Sequence, residues 1–298
     1  MRAVQYHSYG GPEVLEVADA PEPHAGPGQV RIAVRAASVN PIDWKVLSGA
    51  MASAPREGTG YLGSDAAGVV DEVGDGVTGT AVGDEVFGTG ANTQAEYAVL
   101  DGWAAKPASV DWEAAGAAGV AGETSERMLR LLGVTDGTVF VDGGSGGVGA
   151  VAVQLAVSRG LTVIASAGPG NQDYLRELGA VPVVYGDGMV DRVRRAAEAG
   201  VDGVLDVVGQ SPIEDLLGLA PRADRVVTIA NFGAGSVGAR VTGGGADALP
   251  FEALAEVAGL LERGGLTIQV RTYPLEQAAE AYRTSLGGHV RGKLVLTP

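Results

Sequence analysis

The fold is decided by the segment Thr138-Val139-Phe140-Val141-Asp142-Gly143-Gly144-Ser145-Gly146-Gly147-Val148-Gly149. A short apolar β-type run meets a glycine-rich turn, and an apolar helical pattern follows at residues 150–159. Gly144, Gly146 and Gly149 stand in GxGxxG spacing, which brings the pyrophosphate of a dinucleotide onto a helix N-terminus. One glycine turns the chain, one lets the backbone approach phosphate, and one lets the helix pack closely on its strand. The segment therefore predicts a nucleotide site.

The pattern that begins with this segment continues through the following hundred residues. Strand-like runs at 138–142, 161–166, 181–185, 201–208 and 224–230 alternate with helical patterns at 148–159, 171–178, 189–199 and 211–219. A further helix at 252–263 leads to a sixth strand-like run, Leu266–Arg271. Alternation of this kind predicts an α/β fold with a doubly wound, parallel, six-stranded sheet.

The residues before this pattern have a different character. Residues 1 to about 108 are β-rich, with a period-two run at Val30–Ala36 and glycine-containing turns, as in a compact barrel. We expect a β-rich domain at 1–110, a nucleotide-binding domain at 111–263, and a return of 264–298 to the first domain.

Composition excludes several classes of protein. The chain of 298 residues is 46% hydrophobic and 19% charged, which is typical of a globular protein. It has no cysteine, which excludes disulfides and thiolate metal sites. Its formal charge of −15 argues against general binding to nucleic acid or anionic membranes. The start lacks the apolar core of a signal peptide, so we expect a cytoplasmic protein.

The second strand of the nucleotide domain indicates which cofactor binds. NAD sites usually place an acid at the end of this strand, on the ribose 2′-hydroxyl. Here no acid occurs before Asp173, and Ser166 and Asn171 are expected to donate hydrogen bonds to a 2′-phosphate. NADPH is therefore favoured over NADH. Because residues 161–174 contain no Lys or Arg, a cation must come from elsewhere, for which Arg222 is a candidate.

Several further motifs together resemble the medium-chain dehydrogenase/reductase superfamily, and within it the zinc-independent quinone oxidoreductase (zeta-crystallin-like) branch. These motifs are Val39-Asn40-Pro41-Ile42-Asp43-Trp44-Lys45, Gly63–Val70, Val82–Gly88, Ala95-Glu96-Tyr97 and Gly292–Leu296. The resemblance implies a GroES-like catalytic domain joined to a Rossmann domain, with the substrate in the cleft between them. It also implies a homodimer formed through the edges of the Rossmann sheets.

Zinc-dependent relatives differ from this chain at the metal ligands. They carry a His-Glu pair where this chain has Ser64-Asp65, together with cysteines that are absent here. The three histidines, His7, His24 and His289, are scattered without a zinc-site spacing. We therefore expect no metal.

The motif around Asn40 supplies the candidate catalytic residues. Without a metal, the charge that develops on a substrate carbonyl oxygen must be met by hydrogen bonds or a cation. Asn40 and Lys45 are candidates for these roles, with a turn-capping Asn and a solvated Lys as the alternatives. Tyr61 is a candidate proton donor or stacking partner, with partly buried core as its alternative.

The cofactor contacts are expected on the glycine turn and after the other strands, where ligands bind in this architecture. Thr124 is expected beside the nicotinamide, although Glu123 departs from the Gly-Leu-Thr-Ala type of sequence that relatives usually show there. The full set of predicted cofactor residues is Thr124, Gly144, Ser145, Gly146, Gly147, Val148, Gly149, Ser166, Asn171, Val208, Ala230, Asn231 and Phe232.

The function expected from the resemblance is NADPH-dependent reduction of quinones or α,β-unsaturated carbonyl compounds. Two alternatives stay open: a pathway-specific enoyl reductase of secondary metabolism, and a non-catalytic NADPH-binding sensor or structural protein. The Asn40–Lys45 motif favours catalysis, because a sensor has no evident need of it.

Overall fold

The computed structural model describes residues 1–55 and 57–298, and the chain forms two compact units. The first unit contains Met1–Val120 and Pro250–Pro298, and the second contains Ala121–Leu249. The sequence predicts divisions at 110/111 and 263/264. The unit boundaries lie instead within the helix α3 (Ala118–Leu132) and before the helix α8 (Pro250–Glu262).

The first unit consists mainly of antiparallel strands. Its strands are β1 (Arg2–Tyr6), β2 (Glu16–Asp19), β3 (Val30–Val39), β4 (Gly60–Tyr61), β5 (Asp65–Val73), β6 (Glu85–Ala91), β7 (Tyr97–Ala105), β14 (Val270–Pro274) and β15 (Lys293–Thr297). Its helices, besides α8, are α1 (Pro41–Leu47), α2 (Trp112–Gly116) and α9 (Ala278–Leu286).

Two sheets organise these strands. One has the order β2-β1-β4, and the other the order β14-β15-β3-β5-β6-β7. The long strand β3 also pairs with β7, which closes β3, β5, β6 and β7 into a ring. Alternating apolar residues of β3, such as Val30, Ile32 and Val34, fill one core of this ring. The barrel-like, GroES-like domain expected from the sequence is confirmed.

The second unit is a parallel sheet with helices between its strands. Its strands are β8 (Thr138–Asp142), β9 (Thr162–Ala167), β10 (Val181–Val184), β11 (Gly203–Asp206), β12 (Val226–Thr228) and β13 (Arg240–Val241). Its helices are α4 (Gly147–Ser158), α5 (Gln172–Glu177), α6 (Met189–Ala196) and α7 (Ile213–Leu217). The order β10-β9-β8-β11-β12-β13, with every pairing parallel, confirms the six-stranded Rossmann sheet.

The sixth strand is not the one expected from the sequence. Leu266–Arg271 was predicted for it, but the strand that begins at Val270 pairs with β15 in the first unit. The sixth position is taken by Arg240–Val241, beside β12. Two residues inside a glycine-rich segment give no alternating pattern, so this strand had no sequence signal. The helix α8 likewise belongs to the first unit, where Phe251 packs edge-on against Trp103.

Candidate functional site

The glycine turn follows β8 directly and leads into α4. Gly143 has φ of +92°, a conformation that glycine adopts without strain. Gly146 immediately precedes α4, and the amide of Ala150 donates to its carbonyl oxygen at 2.8 Å. A Cβ atom on Gly149 would lie 2.1 Å from the carbonyl oxygen of Gly143, so only glycine lets α4 pack against the turn. The turn is thus shaped to present backbone N–H groups at a helix N-terminus.

Ser166, on β9, fixes the glycine turn through hydrogen bonds. Its Oγ accepts a hydrogen bond from the amide of Gly143 at 2.9 Å, and its carbonyl oxygen accepts one from Gly144 at 2.9 Å. The hydroxyl itself donates to Asp142. Ser166 is 1% exposed. Its only hydroxyl hydrogen is therefore already used, and the expectation that Ser166 donates to a 2′-phosphate is wrong for this arrangement.

A buried polar row crosses the carboxyl end of the sheet. In the strand registers, Asp142 of β8 lies beside Asp206 of β11, and Asp206 beside Thr228 of β12. Asp206 accepts hydrogen bonds from the amides of Val208 at 3.1 Å and Gly209 at 2.7 Å, and from the Thr228 hydroxyl at 2.8 Å. These bonds fix the loop that follows β11.

Thr228 fixes the loop after β12 in the same way, by accepting hydrogen bonds from backbone amides. Its Oγ1 accepts hydrogen bonds from the amides of Ala230 at 3.1 Å and Asn231 at 3.0 Å. The sequence singled out the loop residues Val208, Ala230 and Asn231, but not the buried polar residues that hold them. These residues could have been found from the sequence, because each is a polar residue at the end of an apolar strand. They are Asp142, Asp206 and Thr228.

The two carboxyl groups of the row have different environments. Burial raises the pKa of Asp142, and the neighbouring Asp206 carboxylate raises it further. Oδ2 of Asp142 has no hydrogen-bond partner among the described residues, whereas both oxygens of Asp206 accept hydrogen bonds. We infer that Asp142 keeps its proton at pH values where an ordinary aspartate is ionised.

The remaining predicted cofactor residues line the carboxyl end of the sheet to different degrees. Val208 is 39% and Phe232 is 59% exposed. The side-chain amide of Asn171 donates a hydrogen bond to the Ser145 hydroxyl at 3.3 Å, which joins the loop after β9 to the glycine turn. Gly147 and Val148 are the first residues of α4.

The predicted source of a cation lies at the wrong end of the sheet. Arg222 precedes β12, at the amino end of that strand, and its guanidinium makes two bonds to Asp224, at 2.9 and 3.0 Å. Arg192 lies at the carboxyl end of β10, where its Nε donates to the carbonyl oxygen of Val184 at 2.9 Å. Tyr185 is 45% exposed at the same place, and a Cβ on Gly168 would lie 3.5 Å from its hydroxyl. Arg192 and Tyr185 are not among the residues predicted from the sequence.

Thr124 lies on α3, in a buried ion-pair cluster. The Arg127 guanidinium, on a side chain 4% exposed, donates to both oxygens of Glu123, at 2.9 and 3.1 Å. It also donates to the hydroxyl of Thr124 at 3.3 Å and that of Thr242 at 2.6 Å. Glu123 also accepts a hydrogen bond from the backbone amide of Leu249 at 3.3 Å. The unusual Glu123 is thus neutralised by Arg127, and the pair ties the 242–249 loop to α3.

Asn40, in the first unit, lies in a second buried polar cluster. Its amide group donates to Asp65 at 2.8 Å and to the Ser38 hydroxyl at 3.1 Å, and its oxygen accepts a bond from Lys293. Asn40 is 3% exposed. Both amide hydrogens are used within the protein, so Asn40 positions this cluster, and the structure does not support a hydrogen bond from it to a substrate carbonyl.

Asp43 belongs to the same cluster. Its Oδ2 accepts hydrogen bonds from the amide of Asn40 at 2.7 Å and from the side chain of Gln94 at 3.2 Å. Its Oδ1 lies 3.5 Å from the hydroxyl oxygen of Ser64. Burial raises the pKa of Asp43 to about 7, and the charge of Asp65 adds to this effect.

The other two catalytic candidates are more open. Lys45 is half-buried on α1, and its ammonium lies 5.7 Å from the centre of the Trp44 ring. Tyr61, on β4, is partly buried against Ala3, Ala20 and Ala95. Among all residues but Arg56, no group of three or more His, Asp or Glu side chains is placed to hold a metal ion. Over the same residues, no helix has the length and hydropathy needed to cross a membrane.

Two family models match the chain. One, described as the alcohol dehydrogenase GroES-like domain, matches residues 26–129, and the other, described as zinc-binding dehydrogenase, matches residues 178–296. Together they cover both the β-rich unit and much of the nucleotide unit.

Similar proteins point to the same group. The human quinone oxidoreductase is 31% identical over 99% of this chain and 97% of its own length. The spectinabilin polyketide synthase system protein NorB of Streptomyces orinoci is 35% identical over 97% of this chain, which spans 14% of that protein. A mycobacterial protein solved in complex with NADPH superposes with a TM-score of 0.84 at 28% identity, covering 100% of both chains.

Proposed function

The chain belongs to the medium-chain dehydrogenase/reductase superfamily, in its zeta-crystallin-like quinone oxidoreductase branch, and we propose that it is a zinc-independent, NADPH-dependent reductase of quinones or α,β-unsaturated carbonyl compounds. Membership makes it an oxidoreductase that uses a nicotinamide cofactor and a small-molecule substrate. The choice of NADPH, the absence of zinc and the substrate class are our proposals.

The glycine turn carries this proposal. A Cβ on Gly143 or Gly149 would meet protein atoms at 2.0 and 2.1 Å, so these glycines allow the tight turn, whereas a Cβ on Gly146 would meet nothing closer than 3.7 Å. The first backbone amides of α4 lie at a helix N-terminus, which is suited to an anion. The hydrogen bonds that Ser166 and Asp206 accept from backbone amides fix the loops at this end of the sheet before any ligand binds. The residues present therefore fit a dinucleotide, which supplies a hydride when bound.

The end of β9 favours NADPH over NADH. The strand ends at Ala167 and is followed by Gly168-Pro169-Gly170, so no carboxylate stands where a ribose 2′-hydroxyl would need one. Tyr185 offers an exposed hydroxyl beside Gly168, and Arg192 brings a positive charge to the same edge. We propose that these two residues, with Asn171, receive the 2′-phosphate.

Zinc independence rests on the residues that stand at the metal-ligand positions. Asp65 is buried, and both of its carboxylate oxygens accept hydrogen bonds, including one from the amide of Val120 at 2.8 Å. Ser64 beside it carries a hydroxyl, which is not a typical zinc ligand. We propose that Lys45, a half-buried cation on α1, stabilises negative charge on the substrate oxygen, and that Tyr61 contacts the substrate.

Cofactor binding and turnover test the proposal separately. Calorimetry with NADPH and NADH should show tighter binding of NADPH, and Tyr185→Phe and Arg192→Gln should weaken NADPH binding while leaving NADH binding nearly unchanged. NADPH oxidation with a panel of quinones and enones, with and without a chelator, then tests the reaction. Loss of activity on chelation would exclude the zinc-free enzyme. Tight NADPH binding without turnover of any compound would instead favour a sensor.

The match to the polyketide synthase protein favours one alternative, an enoyl reductase that serves a biosynthetic pathway. The same residues would serve, because an enoyl thioester is also an α,β-unsaturated carbonyl compound. Activity with enoyl thioesters attached to coenzyme A or an acyl carrier protein, at a kcat/KM far above that for free quinones, would identify this function.

We also propose that the protein is a homodimer joined through the edges of the Rossmann sheets. The edge strand β13 has only two residues, and Val237, close before it, is 45% exposed. Sedimentation analysis should give twice the mass of one chain, and Val241→Pro, which removes an amide donor from this edge, should shift the equilibrium toward the monomer.

A further inference from the structure

The polar cluster of the first unit holds two carboxyl groups and one ammonium group in a buried space. Asp65 is hydrogen-bonded by the Ser38 hydroxyl, by the Asn40 amide at 2.8 Å and by the Val120 amide at 2.8 Å. Lys293, which is 5% exposed, donates to Asn40. Three donors thus surround the Asp65 carboxyl group and support a negative charge on it.

Asp43 is the second carboxyl of the cluster and has weaker support for a negative charge. One of its oxygens receives backbone and amide hydrogen bonds, at 2.7 and 3.2 Å, while Oδ1 meets only the long contact to Ser64 at 3.5 Å. A second buried negative charge beside Asp65 is unfavourable. The geometry therefore leaves a proton on Asp43, at the oxygen that faces Ser64.

Ser64 connects this buried acid to the outside of the unit. Asp43, Asp65, Asn40 and Lys293 are each at most 5% exposed, whereas Ser64 is only half-buried. A hydroxyl can accept one proton while it gives up another, and a long hydrogen bond in a ligand-free structure commonly shortens when substrate binds. Of these five residues, Ser64 alone can meet a small molecule.

Building on the proposed function, we propose that Ser64 and Asp43 deliver the proton of the reduction. When hydride adds to the β-carbon of an enone, the C=C π bond breaks and the electron pair moves to the carbonyl oxygen. The Ser64 O–H bond then breaks as its proton passes to this oxygen, and Ser64 takes the proton held by Asp43. Asp43 is left as a carboxylate and regains a proton from solvent, while the reduced cofactor supplies both electrons.

The charges around Asp43 set the pH range of this step. The negative charge of Asp65 on β5 raises the pKa of Asp43, and the positive charge of Lys293 on β15 lowers it. Tyr282 of α9 donates a hydrogen bond to Gln94 at 2.9 Å. Burial, and after it the nearby Asp43 carboxyl group, raises the pKa of Tyr282 well above its usual value, so this tyrosine stays neutral. Because burial places the pKa of Asp43 near 7, the acid form is lost as the pH rises through neutrality. Enone reduction should then decline.

Two Ser64 variants test the proton path without disturbing the cap that Asp43 forms on α1. Ser64→Ala removes the hydroxyl and should lower kcat for enones about a hundredfold, the range of general acid catalysis. It should also abolish the decline of kcat above neutral pH. Ser64→Thr keeps a hydroxyl and should restore most of the rate and the pH profile. Quinone reduction, whose product water can protonate, should change much less in Ser64→Ala.

A second measurement does not depend on turnover. Carboxyl carbon NMR of the ligand-free protein, assigned with Asp43→Asn, should show that the Asp43 carboxyl titrates near pH 7 in both the wild type and Ser64→Ala. A titration at ordinary aspartate pH values would overturn the proposal. So would identical kcat profiles for wild type and Ser64→Ala in an active enzyme. If no compound is reduced at all, the proposed function fails, and the proton path fails with it.

Discussion

At the scale of single residues, the nucleotide unit depends on two neighbouring aspartates in different environments. Asp206 receives hydrogen bonds from two backbone amides and one hydroxyl, which stabilise its negative charge. Asp142, beside it in the strand register, is buried with one oxygen lacking a partner among the described residues. The raised pKa of Asp142 disfavours a negative charge beside the turn that would hold a pyrophosphate.

Asparagine substitutions should distinguish the environments of Asp142 and Asp206. Asp142→Asn replaces an acid whose charged form is disfavoured by burial, so the free energy of unfolding at pH 7 should change less than in Asp206→Asn. Asp206→Asn removes the charge that three donors stabilise, and should cost about 2–3 kcal/mol. Urea denaturation of both variants at pH 7 measures these differences. A larger loss in Asp142→Asn than in Asp206→Asn would contradict the assignment.

The pH dependence of stability has a definite sign at Asp142. Its pKa is raised by folding, so above the ordinary aspartate pKa the native state binds more protons than the unfolded state. This residue therefore makes the free energy of unfolding fall as the pH rises, until the folded-state pKa is passed. In Asp142→Asn the midpoint of urea unfolding should fall less steeply with pH than in the wild type. An equal slope in both proteins would contradict a raised pKa.

Sequence alone could not assign these roles. A polar residue at the end of an apolar strand predicts a site at that edge of the sheet, but not whether the side chain meets the ligand or the protein. Ser166 shows the difference, because its position suggested a phosphate contact while its hydroxyl bonds to Asp142. Asn40 is a similar case, since its motif was recognisable but its partner Lys293 lies 253 positions away.

At the scale of elements, the sequence predicted the strand–turn–helix unit because each part has a local cause. The apolar run, the glycines and the helical pattern are contiguous, and the observed β8 and α4 follow the expected bounds closely. The sixth strand had no comparable local signal. Arg240–Val241 becomes a strand only because β12 lies beside it, which is a tertiary effect.

Two glycine substitutions should separate the packing of this unit from its binding. In Gly149→Ala the new Cβ would meet the Gly143 carbonyl oxygen at 2.1 Å, so the turn must shift, at a cost of about 1–3 kcal/mol. In Gly146→Ala the closest atom is 3.7 Å away, so stability should hardly change while the methyl group hinders a bound pyrophosphate. Urea denaturation and NADPH calorimetry measure the two effects. Equal stability losses would contradict this division.

The helix α3 carries a buried ion pair whose role can be isolated. Glu123→Leu or Arg127→Leu alone would leave an unpaired buried charge and should cost about 3–5 kcal/mol. The double variant removes both charges and should recover most of that loss, although Thr242 and the Leu249 amide lose a partner. A double-mutant cycle by urea denaturation gives the coupling energy. Additive losses would show that the pair does not act as a unit.

At the scale of the whole molecule, each unit carries its own candidate site. The second unit has the glycine turn and the loops that would hold the dinucleotide, and the first unit has the Asp43–Ser64 pair and Lys45. The order of the strands and the motifs made both units predictable from the sequence. The exact divisions were not, because α3 and α8 continue as regular helices at or beside the points where the units meet in the chain.

The transfer of deuterium from NADPH labelled at C4 of the nicotinamide to an enone, by protein freed of metal with a chelator, tests the central claim most directly. Mass spectrometry of the product should find one deuterium at the β-carbon, at a rate that added zinc does not increase. An unlabelled product, or transfer that occurs only after zinc is restored, would contradict a zinc-independent NADPH-dependent reductase.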